Sequence, residues 1–556
     1  MDITYASNRM IVDNIDSVPH LLRLGSDIFQ RMIDFGFLNF EHLVQMMFVG
    51  SMELNQLLLH RLKRIKVYSS TAYRNSKLIP ISTQHFMRFS ISVIRLDLST
   101  HETFPAITWP TTLCKFHIQS HFQCGRPEFV SSIRRMVSSL SASNLPNLTH
   151  LSFLLPGTSI APVHSEFIQL LCNVSSTLTC LKIIVCLPLL LAMFGSSDCP
   201  RDLPKLNRLT EASIELFHGV VRVDMNVAQD AMIWLLRNMI PSTLPTLKLS
   251  AWHIFPTPLD VLRCIPADVI GLKLIKMFQL SDCSAELICA SLPPKVTRLK
   301  LSKHVSKYLI PSVSWNMLPF LPASITDFCL PEHRQDSSLA SAMGRHPPFL
   351  PPNLQRLNMI CPDNDGLEWL EKVDLSHIKT LTLSHDCDMS SICPHTIIFR
   401  KGLRFPSVVT LDATKLERML ERFAALRPAP YFPPHSLGTM FTSLKKMSLT
   451  LRYNSVIRLL PLTLTKLSIS SQVVREMELS LLTNLERLEY RELAFLITQP
   501  PFASLPSSLK KLVIYGSIHV DDVQKFVDRA RQLISHDCIL SMRHTTDRSG
   551  WASSGD

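Results

Sequence analysis

Three short clusters carry residue types capable of catalysis or metal binding. His164-Ser-Glu166 has the H-x-E order of a zinc ligand beside a general acid/base, but no PCxxC pair follows to complete the ligand set. Asp363-Asn-Asp365-Gly366 looks like part of a calcium loop. It lacks the preceding carboxylate and the Glu at the twelfth place, so a turn ahead of a helix accounts for it. His385-Asp386-Cys387-Asp388 has triad residue types, but as direct neighbours their side chains do not converge on one atom, and the segment reads as a loop. No GxxxxGK, GxSxG, HExxH or GxGxxG is present. The 14 cysteines are scattered without a CxxC pair, which supports neither a metal site nor a disulfide framework. No enzyme, no metal and no cofactor is therefore expected.

What remains is charge. Lys and Arg number 57 against 45 Asp and Glu, a formal charge of +12. Such a surplus favours acidic partners, although a generally solvated basic surface also accounts for it. The densest basic run is only RLKRIK at 61–66. The question becomes which elements gather the bases on one face.

A ten-residue phrase answers it. LPPKVTRLKL at 292–301 returns as LPASITDFCL at 321–330, LPPNLQRLNM at 350–359, LPLTLTKLSI at 460–469 and LPSSLKKLVI at 505–514. The unit is apolar-x-x-apolar-x-apolar. Its first positions fall at Val93, Leu113, Leu148, Leu178, Leu206, Leu244, Val269, Val296, Ile325, Leu354, Ile378, Val408, Leu444, Leu464, Leu485 and Leu509, at steps of about 28 residues. Within a unit, residues two apart such as Leu299 and Leu301 lie on one side of a strand, while Pro294 cannot donate to a ladder and sets the approach to it. Helical spacing recurs between strands at 163–172, 227–239, 259–265, 285–292 and 416–426. Strand, helix and parallel strand make the right-handed crossover, and repeating it predicts an α/β solenoid with a curved parallel sheet inside and helices or loops outside.

The array over 92–514 resembles the leucine-rich repeat proteins. The Asn or Cys that the family places after the strand is replaced here by Pro156, Trp252, His304 and Pro362. The resemblance implies a partner-binding concave face formed by the residues that flank each inward pair. These include Lys248, Lys273, Arg298, Lys300, Arg356, Lys446, Lys466, Arg487 and Lys511, with Arg95, Lys115, Lys182 and Arg491. The acids at equivalent places are Asp97, Glu211, Glu215, Asp327, Asp412 and Glu489.

Ahead of the repeats, residues 18–66 show apolar steps of three and four over short helices, with Asn39 as an N-cap. LGSDIFQRMIDF at 24–35, FEHL at 40–43 and VGSMELNQL at 49–57 resemble an F-box. Gly25 stands where Pro is usual, and Leu54 where an aromatic residue is common. The resemblance implies docking of a Skp-type adaptor of a cullin ubiquitin ligase through Leu24, Ile28, Leu43 and Val49. The other reading of the module is a helical cap on the first repeat.

The expected division is a flexible N-terminus over 1–17, the F-box-like module over 18–66, the solenoid over 67–519, a helical cap over 520–543 and a disordered tail over 544–556. The start of the chain lacks a basic flank followed by an apolar core, and so reads as having no secretory signal. The apolar run at 178–194 is short for a membrane span and contains Lys182 and Pro188. Reduced thiols fit the cytoplasm or nucleus. The combined expectation is a non-catalytic substrate receptor of F-box and leucine-rich repeat type, holding an acidic or phosphorylated protein on the concave face. A repeat scaffold or inhibitor unrelated to ubiquitin is the alternative, and neither nucleic acid nor membrane is an expected partner.

Overall fold

The structure, a computed structural model, describes residues 64–68, 92–98, 109–120, 127–154, 164–186, 205–217, 225–251, 258–275, 285–302, 318–329, 350–360, 373–384, 404–413, 436–451, 454–471, 476–492, 500–515 and 523–543. Two compact units divide the chain at Phe278 and Gln279. Both are α/β solenoids with one strand of a parallel sheet per repeat, the class the repeated apolar unit implies.

In the first unit the strands are β1 (Arg64–Tyr68), β2 (Val93–Leu98), β3 (Lys115–Ser120), β4 (His150–Leu154), β5 (Cys180–Cys186), β6 (Glu211–Phe217), β7 (Thr246–Ala251) and β8 (Gly271–Ile275). Each pairs in parallel with the next. Helices α1 (Pro127–Ala142), α2 (His164–Val174), α3 (Met225–Asn238) and α4 (Pro258–Arg263) fill the crossovers. Helices α1 and α2 are joined by an Arg134–Glu166 ion pair at 2.6 Å and by Asn173 Nδ2 donating to the Ser141 carbonyl.

The second unit holds a short helix α5 (Ala285–Ala290) and strands β9 (Arg298–Ser302), β10 (Asp327–Cys329), β11 (Arg356–Ile360), β12 (Thr380–Ser384) and β13 (Thr410–Ala413). It continues through α6 (Ser436–Met440), β14 (Lys446–Leu451), β15 (Lys466–Ser471), β16 (Met477–Glu478) and β17 (Arg487–Glu492). It ends with β18 (Phe502–Ser504), β19 (Lys511–Tyr515), α7 (Val523–Leu533) and β20 (Ile539–Arg543). The parallel ladder runs from β9 to β15 and then through β17, β19 and β20, while β16 and β18 pair separately.

The repeat chemistry explains the core. The repeat strands point residues two apart inward, as three of them show: Phe116 and Ile118 in β3, Leu247 and Leu249 in β7, Leu467 and Ile469 in β15 are all within 1 % of complete burial. The first apolar position of the unit is buried as well, from Leu113 to Leu464 at 0 %. Pro293, Pro322, Pro351, Pro461 and Pro506 place their carbonyls to accept from the amide three residues on, so the Leu-Pro step closes a tight turn just ahead of the strand.

Stacking is held by ladders that start before the strand. The Thr149 carbonyl accepts from both Thr179 and Cys180 amides, and the same forked bond recurs from Thr326 to Gln355 and Arg356 and from Lys445 to Thr465 and Lys466. Side chains add a second rail. Asn147, Asn353 and Asn484 donate to turn carbonyls of the preceding repeat at 2.8–3.0 Å. Hydroxyls of Thr177, Ser324, Thr463 and Ser508, at the same place in their units, do so at 2.6–2.9 Å. This polar rail links repeats in place of the Asn expected after the strand, whose replacements at Pro156, Trp252, His304 and Pro362 lie outside the described residues. Asn353→Ala removes one such bond from an exposed site and is expected to cost about 1 kcal/mol, read as a lower urea midpoint; no shift would mean that water replaces the bond fully.

Some expectations change. Residues Arg64–Lys66 belong to strand β1, so the helical spacing assigned to 18–66 stops short of them. The first repeat therefore precedes the first one counted. Register puts Ile94 opposite Phe116 and Leu96 opposite Ile118, so Val93 is not the start of its unit but the residue before the inward pair. Val93, directly before Ile94, misled the spacing because it is apolar yet only half buried. Helix α1 was not foreseen, since its ten central residues mix Ser and Arg into the apolar period. At the far end the helical cap expected over 520–543 holds α7 and then a further strand, β20, which pairs with β19. The helix expected at 416–426 lies outside the described residues.

Candidate binding face

Between and beside the inward pairs, each strand turns residues to the opposite face of its sheet. Register sorts the candidate bases on that face into groups of different character.

In the first unit Lys115, His150, Cys180 and Glu211 occupy one row, a sequence of types that could suggest nucleophilic chemistry. The Cys180 Sγ–H donates to Glu211 at 3.6 Å, and burial together with the Glu211 charge pushes the thiol up to about 11. It is a protonated thiol rather than a nucleophile. Burial and the neighbouring Lys115 lower His150. Lys182, one residue pair along, is ion-paired with Glu211 at 2.8 Å. Lys248 and Lys273 are in register with each other on β7 and β8.

In the second unit the row starts with Arg298, Asp327 and Arg356, where charges alternate. Asp327 accepts from Arg356 at 3.2 Å; burial raises its carboxyl, opposed by Arg356, Arg298 and Lys300. Thr380 and Thr410 follow. Then four bases come in succession, Lys446, Lys466, Arg487 and Lys511, on β14, β15, β17 and β19. In the next outward row Glu489, two residues beyond Arg487, reaches back and accepts from Lys466 Nζ at 3.0 Å and Arg487 Nη2 at 2.7 Å. Its side chain is 16 % exposed. Burial alone would raise its carboxyl, but Lys466 and Arg487 outweigh it and hold the group below the usual range. Among the described residues Lys446 and Lys511 have no carboxylate in ion-pair reach. The buried Nε of Arg487 finds no hydrogen-bond acceptor among them either.

Arg491 continues the same face, its guanidinium 5.0 Å from the Tyr515 ring centre. Tyr515, and the hydroxyls of Ser448 and Ser468 in register with Glu489, were not singled out from the sequence. Counting in steps of two from Lys446, Lys466 and Lys511 would have reached them.

The other candidates separate. His164 starts α2 while Glu166 is held by Arg134 and Ser165. Leu24, Ile28, Leu43 and Val49 lie outside the described residues, as do 363–366 and 385–388. Among the described residues no group of His, Cys, Asp and Glu is placed to hold a metal ion, and no helix is long and apolar enough to cross a membrane. The run at 178–194 begins as strand β5.

No protein-family model matches the chain, and no curated protein does. Among solved structures it is similar to the leucine-rich repeat-containing protein LegL7 from Legionella pneumophila, at 19 % identity over 48 % of this chain and 84 % of that one, with a TM-score of 0.31.

Proposed function

We propose that the protein is a non-catalytic repeat receptor that captures an acidic or phosphorylated protein segment on the strand face of β14, β15, β17 and β19. The observation that carries this reading is the uninterrupted row Lys446, Lys466, Arg487 and Lys511. Four like charges on adjacent strands repel one another and are retained at a cost of a few tenths of a kcal/mol per pair or more. An anionic partner offsets that repulsion and receives charge-assisted hydrogen bonds.

The F-box-like module at 18–66 would deliver the captured protein to a Skp-type adaptor and its cullin ligase, with Leu24, Ile28, Leu43 and Val49 at the adaptor contact. Ubiquitin transfer would then belong to the partner enzymes. The support for this part is the sequence resemblance alone.

Pull-down of the full chain from a cell extract is expected to recover the Skp adaptor, and Ile28→Asp with Leu43→Asp to lose it. Recovery by neither, under conditions where a known F-box protein retains the adaptor, would leave the repeat receptor standing without a ubiquitin role.

A further inference from the structure

The strand face contains its own competitor. Glu489 engages the two middle bases of the row, Lys466 and Arg487, and cancels half of their charge, while the outer two, Lys446 and Lys511, are left to an incoming ligand. Neighbouring parallel strands lie about 4.8 Å apart, so the three steps from Lys446 to Lys511 span about 14 Å. A single phosphoryl group is far too small to reach both ends. An extended peptide rises about 3.4 Å per residue and returns to the same face at every second residue. The first and fifth side chains of such a peptide therefore share a face and stand about 14 Å apart, matching the outer bases. The third side chain faces the middle of the row, to which the Glu489 carboxylate reaches back from two residues along β17.

Resting on the receptor reading above, we infer that Glu489 is a specificity-determining residue: the face takes an extended segment with acidic residues at positions 1 and 5 and rejects an acid at position 3 in favour of a neutral or basic residue. An acid at position 3 must either meet the Glu489 carboxylate or displace it from Lys466 and Arg487. A Lys or Arg there completes an alternating pattern with it. Selection thus works by repulsion at the centre as well as attraction at the ends. Ser468 on the adjoining strand and Ser448 on the strand after it, in one register row with Glu489, add hydroxyls without charge and leave the carboxylate as the charged group of that row on β14, β15 and β17.

The test uses three fluorescent peptides with identical Gly-Ser flanks and the cores Glu-Gly-Lys-Gly-Glu, Glu-Gly-Ser-Gly-Glu and Glu-Gly-Glu-Gly-Glu, titrated with the full chain by anisotropy. A neutral peptide, inorganic phosphate and a ten-nucleotide oligouridylate serve as comparisons. Wild type is expected to bind the Lys-centred peptide at least 10-fold more tightly than the Glu-centred one, although the latter carries more negative charge. Glu489→Gln is expected to erase or invert that order. Lys446→Ala with Lys511→Ala is expected to weaken all three peptides at least 10-fold.

Failures are distinguishable. Acidic peptides that bind no better than the neutral one, or that ignore the loss of Lys446 and Lys511, would overturn the receptor reading itself. Binding that depends on Lys446 and Lys511 but favours the Glu-centred core in wild type would overturn the role of Glu489 alone. The same holds if Glu489→Gln keeps the wild-type order. Tighter binding of the oligouridylate than of any peptide would replace the peptide class with nucleic acid, and full competition by inorganic phosphate would replace the extended ligand with a single anion. The wild-type comparison of peptides needs no variant to fold.

Discussion

Trp109→Ala is expected to destabilise the first unit by about 3–5 kcal/mol, the range for removing a buried large aromatic side chain. Trp109 is 1 % exposed and ties a strand to a helix. Its ring stands edge-on to Phe116 of β3 at 5.2 Å, and its Nε1–H donates to Ser139 Oγ on α1 at 2.9 Å. Truncation opens a cavity between the two elements and strips the Ser139 hydroxyl of its donor. Trp109→Phe keeps most of the ring packing and removes only the hydrogen bond, so it is expected to cost about 1–2 kcal/mol. Because each repeat packs only on its neighbours, the loss should be local. Hydrogen exchange is expected to show lost protection in β3 and β4 and unchanged protection in β14 and β15. Equal loss in all four strands would mean that the units unfold as one.

Lys466→Glu is expected to weaken capture of an acidic partner by 30-fold or more, about 2–3 kcal/mol, with the fold retained. The substitution does more than remove one cation. It takes the ammonium from Glu489 at 3.0 Å and puts a second carboxylate beside it, so the group formed by residues 466, 487 and 489 turns from net positive to net negative. Lys466→Met keeps the aliphatic stem without the charge and is expected to cost about 10-fold, near 1.4 kcal/mol. Circular dichroism separates binding from folding, because the stem lies on the sheet surface and the inward neighbours Leu467 and Ile469 are untouched. Salt supplies an independent check: raising ionic strength should weaken wild type steeply and Lys466→Glu little. Wild-type affinity in Lys466→Glu would move the acidic partner off this face altogether.

The class of fold was readable because it rests on spacing. Leu299 and Leu301, or Leu467 and Ile469, are two apart in every copy of the phrase, and a strand cannot bury one without the other. The Leu-Pro step likewise marks its turn locally, through a carbonyl accepting three residues ahead. Where the local pattern was ambiguous the reading failed: Val93 is apolar, and only pairing across to Lys115 shows that it belongs outside the inward pair.

The rail of Asn353, Ser324, Thr463 and Ser508 was invisible for a different reason. Asn, Ser and Thr differ in type and share only a position, one residue ahead of the first apolar site, and their acceptors lie 19 to 30 residues away in the repeat before.

The sequence by itself determined that bases alternate with apolar residues and so must leave the core. It could not rank them, because alternation sets the face of a residue and says nothing of its neighbours across the sheet. Arg356 and Lys466 are equivalent in sequence. Stacking puts Arg356 beside Asp327, and Lys466 between Lys446 and Arg487, with Glu489 reaching back to it. Stacking brings residues some 20 to 36 positions apart in sequence side by side on adjoining strands, and charges interact over a few ångströms of space rather than along the chain. Composition supplied the cations; tertiary stacking made four of them a row.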